Sequence, residues 1–192
     1  VGFTLQYEMS YTNILEMLSL GGVPVKSEQR GDGDPIVVAG GPCASNPEPL
    51  SAFIDAFMMG DGEEVIVEVV DLLNDCKKHG LPRRERLRRL AAIEGVYVPC
   101  LYEVQYHEDG TLKSFEPIDP AAPKVVKKRF VADMDAAFYP ETIPVPYTQI
   151  VHDRIMLEIM RGCTRGCRFC QAGMLYRPVR ERSLDRLMEL SE

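Results

Sequence analysis

The 192-residue sequence lacks the patterns by which several large classes of protein are identified. No apolar run approaches the roughly 20 residues that a membrane-spanning helix needs, so we expect no membrane partner. No basic segment followed by an apolar stretch and a small-residue cleavage site directs secretion, and we therefore expect a cytoplasmic protein. A Walker loop, an H-E-x-x-H helix and a nucleophile elbow are also absent, so none of these catalytic motifs supplies a function.

Basic residues are outnumbered by acidic ones. The chain carries 22 Lys and Arg against 29 Asp and Glu, which gives a net charge of −7. This balance argues against a nucleic-acid-binding surface over the whole chain, although a local basic patch still permits RNA as a partner. The length predicts one full domain plus part of another, or two small ones.

Cysteine is unevenly distributed along the chain. Cys43, Cys76 and Cys100 are isolated, and we interpret them as buried or partly buried free thiols. The other three cysteines fall within one short segment, Cys163–Cys170, which is a metal-binding pattern rather than a disulfide framework.

The first 82 residues predict three consecutive βα units, each with an apolar strand followed by a helical segment. Glycines or prolines mark the ends of these segments. The predicted strands are Gly2–Leu5, Ile36–Ala39 and Phe53–Met59, and the helices begin near Tyr11, Asn46 and Val65. Three such units in succession predict an α/β fold with a partial, flavodoxin- or Rossmann-like parallel sheet.

The rest of the chain does not continue the βα pattern. Arg83–Ile93 is predicted to form a basic helix with a solvated arginine face, and alternation around Tyr102–Phe115 predicts a β-hairpin. Six prolines between residues 117 and 146 predict a linker. An apolar run, Ile155–Met160, predicts a strand, and Ser183 is expected to cap a following helix. We therefore divide the chain into a partial α/β domain at 1–82, a β-containing connector at 83–150 and the start of a second domain at 151–192.

The cysteine segment Cys163–Cys170 has the spacing C-x3-C-x2-C and follows directly on the predicted strand. Soft thiolates suit iron-sulfur clusters, copper(I) or zinc, and three on one loop can hold three corners of a cubane cluster. Gly162 and Gly166 allow the backbone to curl around the sulfurs, and Arg165 and Arg168 add charge that favours thiolates.

Two other interpretations of this segment are open. Cys167 and Cys170 have the spacing of a redox dithiol. A zinc site would need four protein ligands, and no cysteine or histidine follows Cys170, so His152 is the candidate for the fourth ligand.

A strand followed by C-x3-C-x2-C, with Phe169 just before the last cysteine, resembles the signature of the radical S-adenosylmethionine (SAM) superfamily. The resemblance implies that Cys163, Cys167 and Cys170 ligate a 4Fe-4S cluster and that the backbone of Phe169 lies near the adenine of SAM. It implies an enzyme in which an electron donor such as flavodoxin or ferredoxin drives reductive cleavage of SAM to a 5′-deoxyadenosyl radical. It also implies that residues 151–192 begin a partial TIM-type barrel.

The front of the chain is similar to the cobalamin-binding class of the same superfamily. The similarity rests on the pair Gly40-Gly41 and on the block Gly60-Asp61-Gly62-Glu63-Glu64. It implies cobalamin as a further cofactor, contacted by glycines and a threonine at the carboxyl ends of parallel strands: Thr4, Gly40, Gly41 and Gly60. The family's D-x-H-x-x-G motif is absent, because His107 lacks the aspartate. Tight βα turns required by the fold alone also explain the glycines.

Two further functions are compatible with these patterns. One is a non-catalytic binding module that holds structural zinc. The other is a methylthiotransferase-like enzyme that modifies RNA, which the basic helix favours and which would need a second cysteine trio from Cys43, Cys76 and Cys100. We also expect the chain to be the middle of a larger enzyme and inactive by itself.

Overall fold

The computed structural model describes residues 1–140, 146–151, 154 and 156–191. The chain forms two compact units, unit 1 at Val1–Phe130 and unit 2 at Val131–Glu192. The division into three parts made from the sequence stays a prediction. None of the described helices combines the length and the apolar character that a membrane crossing requires.

Unit 1 is organised around a four-stranded sheet in the order β1-β2-β3-β4. The first three strands are parallel, and β4 runs antiparallel to β3. The strands are β1 Gly2–Thr4, β2 Val38–Gly40, β3 Ala56–Met58 and β4 Val96–Tyr97. This confirms the three predicted strands and the α/β class; β4 was missed because two residues carry no periodicity. The order contains no reversal that would create a topological switch point, so a flavodoxin-like sheet stays a prediction.

Three helices in unit 1 confirm the predicted amphipathic stretches. They are α1 Tyr11–Leu20, α2 Val65–Lys78 and α3 Arg83–Ala91. Each buries apolar residues one turn apart, such as Ile14 and Leu18 in α1, because that spacing places them on one face. The helix expected after Asn46 is replaced by two short 3-10 turns, Pro42–Ser45 and Glu48–Leu50, in a proline-rich segment that cannot sustain a longer helix.

A buried core joins the sheet and helices of unit 1, with Phe57 on β3 fully enclosed. The predicted hairpin is confirmed as β5 Tyr102–Tyr106 paired with β6 Leu112–Pro117. Its aromatic side chains extend this core, since the rings of Tyr102 and Phe115 stack with their centroids 5.2 Å apart.

Unit 2 contains short elements. These are β7 Met160–Arg161, α4 Ala172–Leu175, β8 Arg180–Glu181 and α5 Leu184–Ser191. The predicted strand Ile155–Met160 is found only at its last residue, and Ile155 lies outside the described residues. Because β7 pairs with β8 in antiparallel fashion, the start of a barrel stays a prediction. The predicted cap is confirmed, since the backbone N–H of Arg186 donates to Ser183 Oγ at 3.1 Å.

Candidate functional site

The three clustered cysteines lie on the loop that follows β7. Cys167 is exposed, while Cys163 and Cys170 are half-buried. The backbone N–H of Cys170 donates to the carbonyl of Cys167 at 3.1 Å, which folds the second half of the loop into a turn. The backbone N–H of Arg165 points at Cys163 Sγ from 3.4 Å, a contact of the kind that tunes a metal-bound thiolate.

The structure places the three thiols on one loop without bringing their sulfurs into a ligand set. Among the described residues, no group of three or more His, Cys, Asp or Glu side chains lies close enough together to hold a metal ion. The loop is exposed from Thr164 to Phe169. Three soft thiolates fit an iron-sulfur cluster, whereas the proposed fourth zinc ligand, His152, lies outside the described residues.

Gly162 holds the start of the cysteine loop against the chain before β8. Its φ is +94°, and a Cβ there would lie 2.6 Å from the carbonyl oxygen of Pro178. Gly166 also has a positive φ, +56°, but has open space apart from the Arg177 guanidinium at 3.6 Å. The first glycine is therefore required by a close backbone approach and the second by conformation alone.

Arginine side chains form hydrogen bonds that hold the chain segments around the cysteine loop in place. Arg161 forms a two-point contact with the Glu158 carboxylate at 2.7 and 2.9 Å. Arg180 is buried and donates to the carbonyl of Val131 at 2.9 Å, and Arg182 donates to the carbonyl of Glu158 at 3.1 Å. Unit 2 therefore relies on charge-assisted hydrogen bonds around the cysteine loop.

Phe169 lies on the same loop and is 92% exposed. An exposed ring is free to contact a planar ligand, but single exposed apolar side chains are common on protein surfaces. Its place beside the adenine of SAM stays a prediction.

The carboxyl edge of the parallel sheet carries the residues that were predicted to contact cobalamin. Thr4 and Gly40 end β1 and β2 and are register partners. Gly41 has a φ of +98°, and a Cβ there would lie 2.9 Å from the carbonyl oxygen of Leu5. Backbone of the same chain occupies the space beside Gly41, so the fold itself accounts for this glycine.

Gly60 has an even closer neighbour than Gly41. A Cβ at Gly60 would lie 1.9 Å from the carbonyl oxygen of Arg129, which forms a parallel bridge with Gly60. The Arg129 guanidinium pairs with Glu64 at 3.1 Å and with Glu68. The acidic glycine block therefore holds the chain segment around Arg129, and the cofactor-binding role of Thr4 and the three glycines stays a prediction.

Cys43, Cys76 and Cys100 do not form a second cysteine site in the described structure. Cys43 follows β2 in a 3-10 turn and Cys76 lies on α2; both are buried, whereas Cys100 is exposed. Desolvation and then the nearby Glu8 raise the pKa of the Cys43 thiol, which disfavours a thiolate. Two of these thiols are buried on different elements of unit 1, and the described structure does not bring the three together.

A buried ionic network in unit 1 corrects the prediction that the arginines of α3 are solvated. Arg83 is buried and pairs with the fully buried Asp55, which also accepts hydrogen bonds from Arg30 Nη1 at 3.0 Å and from the backbone N–H of Val37 at 2.7 Å. Ser27 Oγ also donates to Asp55. The sequence signal for this network is Asp55, a lone carboxylate within a predicted apolar strand. Such a group must find partners when it is buried.

Other arginines of α3 are also paired, which leaves little of this helix for RNA. Arg86 donates to two backbone carbonyls, Arg88 to Asp119 and Glu85, and Arg89 to Glu85. Arg84 alone among the five makes no hydrogen bond or ion pair with a described residue.

Comparisons with known proteins identify the family of the chain. Over 192 aligned residues, the chain is 32% identical to MJ0966, an uncharacterised protein of Methanocaldococcus jannaschii; the match covers 98% of this chain and 33% of that relative. The chain thus spans about a third of the length of the curated relative it matches. No solved structure matches. A family described as "Radical SAM proteins, N-terminal" matches residues 1–99, and the chain therefore belongs to the radical SAM proteins.

Proposed function

We propose that this chain is part of a radical SAM enzyme whose 4Fe-4S cluster is held by Cys163, Cys167 and Cys170. The observation that carries the proposal is the C-x3-C-x2-C loop directly after β7, in a chain whose first half matches the radical SAM family. A bound cluster of this kind supplies the electron that cleaves SAM to methionine and a 5′-deoxyadenosyl radical.

The chain's own residues have distinct roles in this proposal. The three thiolates hold the metal, and the N–H of Arg165 stabilises charge on the Cys163 sulfur. Gly162 packs the start of the loop against the chain before β8. The backbone that carries the three ligands therefore begins at a fixed position. We place the backbone of Phe169 beside the adenine of SAM, because this exposed residue directly precedes the last ligand.

Anaerobic reconstitution with iron and sulfide tests the cluster. We expect about four irons and four sulfides per chain, and their loss in a Cys163→Ala, Cys167→Ala, Cys170→Ala triple variant. Cys100→Ala is the matched control, because this exposed thiol lies outside the loop and its loss should leave the iron content unchanged. Stoichiometric zinc without iron would instead favour a structural zinc module.

The proposal also includes an electron donor and a second cofactor. A one-electron donor such as flavodoxin or ferredoxin is the partner that the chemistry requires. Cobalamin in unit 1 is favoured by the position of Thr4 and Gly40 at the carboxyl edge, but Gly41 and Gly60 are accounted for by neighbouring backbone. Titration of the chain with hydroxocobalamin tests this part, and an unchanged cobalamin spectrum would exclude it.

A methylthiotransferase-like function lacks its second cysteine trio among the described residues, and the paired arginines of α3 offer little to RNA. The substrate class of the enzyme is therefore not extended to RNA in this proposal.

A further inference from the structure

A groove of about 980 Å³ lies in unit 1 at the amino edge of the parallel strands, opposite the edge that carries Gly40 and Gly60. One wall is α3, with Arg84 and Leu87, and another is the chain from Tyr97 through Val104. This volume falls within the range of pockets that take cofactor-sized ligands. All residues that line the groove belong to unit 1, whereas the cysteine loop belongs to unit 2.

The base of the groove is rigid. Arg30 and Arg83 line it and are both held by the buried Asp55 carboxylate. Arg30 also donates to the carbonyls of Val25 and Phe53 at 2.8 and 2.7 Å. A surface fixed by this many hydrogen bonds presents its groups in one geometry, which reduces the entropy lost when a ligand binds.

The groove lining carries four basic and four acidic side chains, but one of the basic ones has no direct hydrogen-bonding partner among the described residues. Each lining carboxylate already has a partner. These pairs are Glu28 with Lys26 at 3.6 Å, Asp32 with the N–H of Arg83, Glu48 with the Tyr97 hydroxyl at 2.6 Å, and Asp119 with Arg88 at 3.1 Å. Arg84 lines the groove, is exposed, and has no hydrogen bond or ion pair with a described residue.

The remaining lining of the groove offers apolar side chains and one weak hydrogen-bond donor, the Cys100 thiol, to a ligand. Leu101, Val104 and Ile118 line the groove, and Ile118 is 63% exposed. Cys100 is exposed but lies in the groove lining, where partial desolvation and then the nearby Asp55 carboxylate raise the pKa of its thiol; the thiol therefore stays protonated and can donate at neutral pH.

From this arrangement we infer that the groove binds a small organic anion, with its carboxylate or phosphate on Arg84 and its apolar part against Leu101, Val104 and Ile118. An Arg guanidinium recognises either anion by two-point hydrogen bonding, so the shared chemistry of the ligand is the anionic head. The inference does not depend on the proposed function of the cysteine loop.

An NMR titration of the whole 192-residue chain tests this site. Phenyl phosphate and phenylacetate are the two anionic probes, and benzyl alcohol is the uncharged control. We expect saturable shifts at the amides of Arg84, Cys100 and Leu101 with at least one anion, weaker binding at higher salt, and little response to benzyl alcohol.

Arg84→Gln should weaken anion binding roughly tenfold or more, because a hydrogen bond to a charged group is lost. Arg89→Gln is the matched control, since Arg89 lies on the same helix but outside the groove and should leave affinity unchanged. Absence of saturable shifts with both anions would overturn the inference. Equal affinity in Arg84→Gln, or equal binding of benzyl alcohol, would also overturn it.

Discussion

Units 1 and 2 are stabilised by different means. Unit 1 packs a continuous hydrophobic core around β2 and β3, and its buried charges are tied into one network at Asp55. In unit 2, α5 buries none of its described residues, and the buried side chains include Arg180 and Arg182. Apolar burial thus holds unit 1, whereas glycine contacts and arginine hydrogen bonds hold the loop that would take a metal. A metal that binds the loop would add folding energy where the core is small.

The largest expected effect comes from breaking the network in unit 1. Asp55→Ala leaves two guanidinium groups without their carboxylate in a buried site. We expect a loss of about 3–5 kcal/mol in the free energy of unfolding, measured by urea denaturation of the whole chain. Asp71→Ala, at an exposed position on α2, is the matched control and should change it by less than about 0.5 kcal/mol. A small effect of Asp55→Ala would show that the network is not needed for stability.

A backbone contact in unit 1 gives the next effect. Gly60→Ala forces a Cβ into the carbonyl of Arg129 and strains a residue with φ of +98°. We expect a loss of about 2–3 kcal/mol in the same urea experiment. Gly62→Ala has nothing within 4 Å of its Cβ and should be nearly neutral. If the two variants were equally stable, the bridge between Gly60 and Arg129 would not matter.

The corresponding substitution in unit 2 tests whether the cysteine loop depends on its glycine. Gly162→Ala places a Cβ 2.6 Å from the carbonyl of Pro178, and we expect it to destabilise unit 2 by about 1–3 kcal/mol and to lower the iron content after reconstitution. Gly173→Ala, in α4 with open space around the Cβ, should keep full iron content and stabilise the helix slightly. Unchanged iron in Gly162→Ala would contradict the proposed role of this contact.

The smallest effect concerns acid sensitivity in unit 2. The backbone and then the side chain of Ser183 donate to Asp135 and lower the pKa of its carboxyl, with further help from Arg182 and Arg186. Because the folded pKa lies below the unfolded one, this contact stabilises unit 2 above about pH 3.9 and is lost as pH falls through the folded pKa. A carboxyl-detected NMR titration should place Asp135 below the ordinary aspartate range, and Ser183→Ala should raise its pKa. A titration in the ordinary range would show that the contact is weak in solution.

Local patterns in the sequence predicted much of unit 1 and the presence of a cysteine loop in unit 2, whose metal chemistry stays a prediction. The spacing of Ile14 and Leu18 predicted α1, the turn at Asp109-Gly110 predicted the hairpin, and the cysteine spacing predicted the metal loop. These features depend on residues close in the chain, so their signals are visible without the fold. The prediction of a solvated basic helix was wrong at Arg83. Its partner Asp55 lies 28 positions earlier in the chain, and only packing brings the two residues together.

The sequence by itself therefore determined the α/β class, the positions of the principal helices and the three-thiol donor set on one loop. Only the tertiary structure decided that β4 joins the edge of the sheet in antiparallel fashion and that Gly60 forms a bridge with Arg129. It also decided that Arg84 is left without a direct partner among the described residues, in a groove at the amino edge. The physical reason is distance along the chain. Contacts between residues tens of positions apart form when helices and strands bury their apolar faces, and no local period records which polar groups that burial brings together.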